Sequence, residues 1–135
     1  MQTARMEGLA DSWVEGHSEL RWRSTVGTSP GEDGARASGS SLLEVDPGCA
    51  LARHTDSAEE TILVVAGTAE VEVGGESARV PAGGVALVPE GVPHQVGNAG
   101  AEPLRFVAVY AAADVVTRYE ADVQPEGTRE RHTVG

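Results

Sequence analysis

Two separate stretches of the chain carry the side chains that could do chemistry. His54, Thr55 and Asp56 place an imidazole and a carboxylate two residues apart, and on a β-strand both would face the same side. Glu60 begins an apolar run, and His94 follows a Pro-Glu-Gly-Val-Pro segment far downstream. A closed barrel can gather these four as two imidazoles and two carboxylates. Such a set suits one divalent ion per chain, because imidazole favours Zn, Fe, Ni or Cu and carboxylate favours Mn or Mg.

The other polar candidates are predicted to be structural. His17 and His132 are expected to be hydrogen-bonded structural residues, with His132 in a polar tail. The single cysteine, Cys49, cannot form an internal disulfide or a multi-thiolate zinc site, and beside a turn it is expected to be a small buried residue. Glu59 competes with Glu60 as a ligand, but alternation along the strand would turn it outward.

The elements that position these residues are β-strands. Apolar and polar residues alternate or form short apolar runs about every 8–12 residues, with Gly and Pro between them, which indicates an antiparallel sandwich or barrel. Helix is predicted only weakly, over Ala111–Tyr119. The clearest strand signals are Glu19–Val26, Leu42–Val45, Thr61–Val65, Ala69–Val73, Val85–Val88, His94–Val96 and Leu104–Tyr110.

A chain of 135 residues fits one domain. We expect an N-terminal extension over residues 1–18, a single barrel over 19–119 and a polar C-terminal tail over 120–135, which is expected to fray from Gln124 onward. The Gly- and Ser-rich segment Ser29–Ser41 is predicted to be a loop, either a lid over the barrel mouth or slack chain.

The amino-acid composition excludes several classes of function. The net charge is −11, and all ten basic residues are Arg, which excludes lysine Schiff-base chemistry and a P-loop lysine. The sequence contains no run of basic residues of the kind that binds the phosphates of a nucleic acid, so no nucleic-acid partner is expected. No signal peptide or membrane span is evident, so we expect a cytoplasmic protein that does not bind membranes.

The motif spacing adds a family resemblance. Gly48 to Gly67 resembles the first motif of the cupin superfamily: Gly, five residues, His-x-His, three or four residues, Glu, six residues, Gly. Gly83 to Asn98 resembles the second motif: Gly, five residues, Pro-x-Gly, two residues, His, three residues, Asn. Both stretches match in spacing throughout. The resemblance implies an all-β fold with little helix, a double-stranded β-helix or jelly-roll barrel, with a metal ion in its mouth.

Carried over by position, the resemblance makes His54, Glu60 and His94 the expected ligands. Asp56 stands where the family usually has a second histidine. Three explanations remain: Asp56 ligates the ion directly, it supports the ligands from behind, or the site has lost its metal. The third would leave a barrel without metal chemistry.

The expected pocket is mostly apolar. On the last strand Arg105 is costly to bury unpaired, so the opposite face is predicted to point inward. Tyr110 on that face is the only candidate acid or base, and as a base it needs a pKa well below its usual ~10. Few polar anchors favour a small carboxylate, enol or ketone over a sugar or nucleotide. The predicted substrate-pocket residues are Ile62, Val64, Val96, Phe106 and Ala108.

Two functions remain open. Cupin-like single barrels include dioxygenases, isomerases, decarboxylases and lyases, which implies a metal-dependent enzyme acting on a small metal-chelating acid or carbonyl compound. The alternative is a non-catalytic module that binds a small ligand or assists another enzyme. A homodimer is expected, because the stripe of Leu20, Trp22 and Val26 on an N-terminal edge strand needs covering.

Overall fold

The computed structural model describes residues 1–132, which form twelve strands and no α-helix. The predicted all-β fold is confirmed. The strands are β1 (Ala10–Val14), β2 (His17–Thr28), β3 (Gly39–Val45), β4 (His54–Asp56), β5 (Glu60–Ala66), β6 (Thr68–Val73), β7 (Glu76–Pro81), β8 (Val85–Val88), β9 (His94–Asn98), β10 (Leu104–Tyr110), β11 (Val116–Val123) and β12 (Thr128–His132). No helix that could span a membrane occurs in residues 1–132.

The strands build two six-stranded antiparallel sheets. The first sheet has the order β1-β2-β3-β10-β5-β8, and the second has the order β12-β11-β4-β9-β6-β7. Their inner faces share one apolar core, since buried side chains alternate with exposed ones along β5 and β10. Phe106 lies opposite Val64 on one side and Leu43 on the other, and all three are buried. The prediction that the Phe106 face of β10 points inward is therefore confirmed.

The predicted helix over Ala111–Tyr119 is wrong. Residues 116–123 form β11, which pairs with β4 on one side and β12 on the other. The strand contains two valines, one threonine and one tyrosine in a pattern that repeats every second residue. Such β-branched and aromatic side chains pack well on the pleated surface of a sheet. Pairing with two neighbours outweighs the weak local helix signal.

The sheets extend beyond the predicted barrel limits at both ends. β1 pairs with β2 inside the predicted N-terminal extension, and β12 pairs with β11 inside the predicted tail. The two ends also meet, since the amide of Gln124 donates to the carbonyl of Trp13 at 2.8 Å. The predicted fraying is therefore wrong for Thr128–His132, whereas residues 133–135 of that tail lie outside the described residues. Thr128–His132 contains no apolar residue, which explains why hydrophobic patterning missed it.

Trp22, the aromatic residue of the predicted N-terminal stripe, packs against the chain's own interior. Trp22 is only 1% exposed, and its ring centroid lies 5.6 Å from that of Tyr119. Trp22 therefore needs no partner chain to cover it, whereas Val26 of the same stripe is exposed, and the homodimer stays a prediction. The exposed apolar side chains include a group on strands of the first sheet: Val26, Leu63, Val65, Val85, Leu87 and Val109.

Glycine at position 67 is required by the turn between β5 and β6. Its φ of 76° lies in the left-handed region, and a Cβ there would come within 2.7 Å of the Pro103 carbonyl oxygen. This turn places β6 in the second sheet directly after β5 in the first. The motif glycine thus joins the two sheets that enclose the site.

A cluster of ion pairs fixes the outer surface of the first sheet. Arg23 donates to both Glu44 and Asp46, and Arg105 Nε donates to Glu44 Oε2 at 2.6 Å. The hydrogen bond from Arg23 lowers the pKa of Glu44, and it lowers the pKa of Asp46 in the same way. The Glu44 side chain is only 14% exposed, so its pairs are less screened by solvent than ordinary surface pairs.

We expect Glu44→Gln to lower the free energy of unfolding by about 1–2 kcal/mol at pH 7, because Arg23 and Arg105 lose a charged acceptor. The folded-state pKa is lowered, so this stabilisation is full above the unfolded pKa and is lost as pH falls through the folded pKa. Urea unfolding at pH 7 and near pH 3 measures it. Exposed Glu90→Gln is the control, and an equal gap between wild type and Glu44→Gln at both pH values would contradict the prediction.

Candidate metal centre

The two sheets bring four ionisable side chains together inside the barrel. His54 on β4 lies directly opposite His94 on β9, and their ring centroids are 4.2 Å apart. Asp56 is two residues further along β4, so it shares the inward face of His54. Glu60 is the first residue of β5 in the opposite sheet. All four are at most 5% exposed, which places polar groups in a low-dielectric interior.

Backbone carbonyls fix the tautomer of both imidazoles. His54 Nδ1 donates to the Ala52 carbonyl at 2.7 Å, and His94 Nδ1 donates to the Val92 carbonyl at 2.9 Å. A carbonyl oxygen only accepts, so each Nδ1 carries a hydrogen. The Nε2 atoms of both rings are then the atoms that remain to face the cluster, as in histidine–metal sites with a backbone hydrogen bond behind each ring.

The four side chains are close enough to share one ion. His94 Nε2 lies 3.1 Å from both Asp56 Oδ2 and Glu60 Oε1, and His54 Nε2 lies 3.8 Å from Asp56 Oδ2. One ligand atom from each of His54, Asp56 and His94 falls within 4.8 Å of the other two. Glu60 adjoins this group through its contact with His94.

Burial and mutual contact set the charges. Burial lowers the pKa of His54 to about 4, so that ring is neutral. Burial also opposes a charge on His94, but the carboxylates of Asp56 and Glu60 outweigh it and raise its pKa to about 10. Burial raises the pKa of Glu60 to about 7, whereas for Asp56 the contacts with His94, His54 and Thr117 outweigh burial and lower the pKa. The His94 imidazolium therefore supplies the cation that these carboxylates need.

The donor set fits a divalent metal ion. The ring N–H of His94 is directed at Glu60, and within residues 1–132 the buried Oδ2 of Asp56 has no hydrogen-bond partner. The charge of this oxygen is met by the His94 imidazolium, whose Nε2 lies 3.1 Å away, and a divalent cation in the cluster would meet this oxygen and Glu60 together. The other oxygen, Oδ1, accepts a 2.6 Å hydrogen bond from Thr117 Oγ1, which orients the carboxylate so that Oδ2 faces the cluster. Two imidazole nitrogens and carboxylate oxygens are ligands for Mn, Fe, Zn, Ni or Cu.

A cavity of about 370 Å³ opens beside His54 and Glu60. Of the predicted pocket residues, Val96 and Phe106 border it, whereas Ile62, Val64 and Ala108 are buried in the core behind it. The expectation of few polar anchors is wrong, because the lining also includes polar side chains such as Asp11, Ser24 and Ser41. The volume suits a small molecule.

Tyr110 borders the cavity opposite Glu60 on the neighbouring strand β10. Burial, together with the negative charges of Glu60 and Asp56, raises the pKa of Tyr110 well above its ordinary value. A base would need the reverse shift. The phenol therefore stays protonated and is suited to donate a hydrogen bond.

The sequence interpretation missed the cavity residues on the C-terminal strands, among them Thr117, Tyr119 and Arg131. The Tyr119 ring lies 5.3 Å from that of His54, and burial raises the Tyr119 pKa to about 12. Period-two alternation through Thr117 and Tyr119 was a usable signal, although a weak one. No comparable pattern marks Arg131.

The two histidines predicted to be structural lie away from the cluster. His17 is exposed and forms a 3.4 Å contact with Glu19. His132 lies in β12 rather than in a tail, and its Nε2 is 3.0 Å from Glu130 Oε1 at the edge of the cavity. Glu59 is exposed, in agreement with the alternation that turns Glu60 inward.

Comparison with solved structures identifies the fold. A variant of Bacillus subtilis oxalate decarboxylase aligns with a TM-score of 0.69 at 24% identity, over 77% of this chain and 29% of that chain. The same enzyme at pH 4.6 gives 0.67 at 24% identity, over 73% and 28%. A structure from work on its Mn(II) centres gives 0.68 at 22% identity, over 80% and 30%. The chain thus spans less than a third of the length of these neighbours, and at this identity the likeness shows the fold.

The family follows from the sequence itself. No curated protein matches the chain significantly. The family described as the cupin domain matches residues 41–110, which is more than half of the chain and includes all four side chains of the cluster. The chain belongs to the cupin family.

Proposed function

We propose that this protein is a metal-dependent enzyme that acts on a small organic acid or carbonyl compound chelated to one divalent ion. One observation carries the proposal: four buried imidazole and carboxylate groups from two sheets converge beside a cavity of about 370 Å³, and one buried carboxylate oxygen among them accepts no hydrogen bond within residues 1–132. The solved neighbours named oxalate decarboxylase add support for a small carboxylic acid as substrate.

Within this proposal Asp56 binds the ion directly. Asp56, His54 and His94 present ligand atoms within 4.8 Å of one another, which favours direct ligation over a supporting role. Glu60 completes the set from the opposite sheet. The hydrogen bond from Thr117 then has a defined purpose, since it holds the shorter aspartate side chain in the orientation that an imidazole would otherwise occupy.

The protein's own residues have separate tasks. The ion, when bound, polarises a chelated carbonyl or carboxylate oxygen and stabilises negative charge that develops there. Asp56 and Glu60 keep that ion in place and neutralise it. Tyr110 holds its proton on Oη and donates to an oxygen of the chelated ligand. Phe106 and Val96 exclude water from the wall of the cavity, which strengthens each electrostatic interaction inside it.

A binding module without catalysis is the second candidate, and one observation favours it. Among the described residues that line the cavity, the neutral imidazole of His54 belongs to the metal cluster, and Tyr110 has a raised pKa. The remaining candidate bases of the lining, Asp11, Glu126 and His132, are exposed, so a buried general base beside the cluster is lacking among the described residues of that lining. A reaction that needs no such base, such as decarboxylation or oxygenation of a chelated acid, is compatible with this.

Metal content tests the centre. After reconstitution with Mn, Fe, Zn, Ni or Cu, we expect the wild type to hold about one ion per chain and His94→Ala to hold almost none, because two carboxylates lose the ring that joins them. Elemental mass spectrometry measures the ratio. Exposed His17→Ala is the matched control, and a His94→Ala protein that retains the wild-type metal content would contradict the centre.

The role of Thr117 tests direct ligation by Asp56. Thr117→Val removes the hydrogen bond to Asp56 Oδ1 and should weaken metal affinity about 10–100-fold, as expected when a ligand loses its orienting partner. Thr117→Ser keeps the hydroxyl and should stay close to wild type. Competition with a chromophoric chelator gives both affinities. Equal affinity for Thr117→Val and wild type would show that Asp56 needs no orientation and argue against its ligation.

Turnover separates the two candidate functions. Metal-loaded wild type is incubated with small enolisable carboxylic and oxo acids under air and under nitrogen, with O₂ consumption, CO₂ release and substrate loss followed together. We expect turnover that disappears in His94→Ala and persists in His17→Ala. Turnover without O₂ consumption points to a decarboxylase, isomerase or lyase. Fully metal-loaded protein that converts none of these acids would favour the binding module.

A further inference from the structure

We propose that Arg131 is the specificity-determining residue of this site and that it selects a small dicarboxylic acid. One end of the ligand chelates the ion, and the carboxylate at the other end pairs with the Arg131 guanidinium. Binding of the first carboxylate to the ion rests on the proposed function. Binding of the second carboxylate is argued from the contacts of Arg131 itself.

Strand register places Arg131 on the inward face beside the metal centre. On the second sheet Asp56 of β4 lies opposite Thr117 of β11, and Thr117 lies opposite Arg131 of β12. Directly opposed residues of antiparallel strands project to the same face. Because neighbouring strands are about 4.8 Å apart, the Arg131 backbone lies roughly 10 Å from that of Asp56. A long side chain at this position reaches into the mouth of the cavity, which Arg131 borders together with His54.

Neighbouring side chains hold the guanidinium in one position. Arg131 Nη1 donates to Ser12 Oγ at 2.9 Å, and Nη2 donates to Glu126 Oε2 at 3.0 Å. The guanidinium carbon lies 5.7 Å from the ring centroid of Tyr119, whose own centroid is 5.3 Å from that of His54. Tyr119 therefore packs against both Arg131 and His54, and the guanidinium carbon lies no farther from the His54 ring centroid than these two distances together.

One nitrogen of the Arg131 guanidinium, Nε, is buried and has no acceptor among the described residues. A buried cationic N–H without an acceptor costs free energy, and a carboxylate is the acceptor whose geometry and charge suit it. Of the described residues that line the cavity, Arg131 is the only arginine, and the sequence contains no lysine.

The charge balance explains why a second carboxylate is favoured. Asp56 and Glu60 neutralise a divalent ion, so the metal centre has little positive charge left for a dianionic ligand. Glu126 is largely exposed, with 57% of its side chain accessible, so its pair with Arg131 is screened by solvent. A monocarboxylate on the ion would leave Arg131 Nε unpartnered. A dicarboxylate would satisfy it, and the cavity volume restricts that diacid to a small one.

Titration calorimetry with Mn-loaded protein tests the inference. The probes are oxalate, malonate, succinate and glutarate, each with its monomethyl ester, so that every pair differs by one charge. The variants are Arg131→Gln and Arg131→Lys. Arg118→Gln is the matched control, because Arg118 is an exposed arginine on the adjacent strand and its loss changes the net charge equally. Metal content is measured before and after each titration, because a diacid can also extract the ion.

We expect at least one diacid to bind the wild type about tenfold or more tightly than its monoester, as a charged hydrogen-bonded pair requires. Arg131→Gln should abolish this preference, Arg131→Lys should restore part of it, and Arg118→Gln should keep it. A wild type without any diacid preference, or Arg131→Gln with an unchanged preference, overturns the inference. If Arg131→Gln fails to fold, the wild-type pairs and Arg131→Lys decide.

The metal measurement separates the two levels of the proposal. Retained metal with no diacid preference rejects the role of Arg131 and leaves the metal centre intact. A wild type that binds no ion after reconstitution rejects the proposed function instead.

Discussion

The structure depends on one constraint, which is that Asp56 and Glu60 are buried together and need a shared cation. Burying a carboxylate is costly unless a positive charge and hydrogen bonds compensate it. His94 provides the compensation without metal, with its Nε2 at 3.1 Å from an oxygen of each carboxylate. A proton on one imidazole and a divalent ion among four ligands are thus alternative solutions to the same electrostatic problem. The cluster is built for positive charge at its centre.

This constraint links the chemistry to the closure of the barrel. Glu60 belongs to the first sheet, whereas His54, Asp56 and His94 belong to the second, so the centre exists only when the inner faces meet. The surrounding core is apolar, and its low dielectric strengthens every charge interaction inside it. An ion that binds only the assembled site must also stabilise the folded state. The apolar residues around the cluster therefore contribute to affinity without touching the ligand.

The four residues of the centre could be predicted from the sequence because they lie at fixed distances from turn glycines and on strands whose side chains alternate in direction. The spacing around His54, Glu60 and His94 fixed which side chains converge, and the cost of burying Arg105 gave the correct inward face of β10. The C-terminal strands could not be found in the same way. β12 has no apolar residue, and its place is determined by pairing with β11 and by the contacts of Arg131 with Ser12, which is distant in sequence. Alternation also showed which residues share a face with Trp22, but it could not show that Trp22 itself is buried against the chain's own interior while Val26 stays exposed.

Asp56 changes the charge of the proposed metal centre and thereby the way in which the cavity can bind an anionic ligand. Where the family pattern has a neutral imidazole, this chain has an anion, so in the proposed metal centre two carboxylates rather than one hold the ion. The added charge lowers the attraction of the centre for anionic ligands, because an ion already neutralised by protein has little charge to share. In the proposed function, recognition of an acid then depends on groups elsewhere in the cavity. Arg131 lies in the same cross-strand row as Asp56, with Thr117 between them. The aspartate that lowers the positive charge of the proposed metal centre therefore lies in line with the arginine that adds positive charge to the cavity.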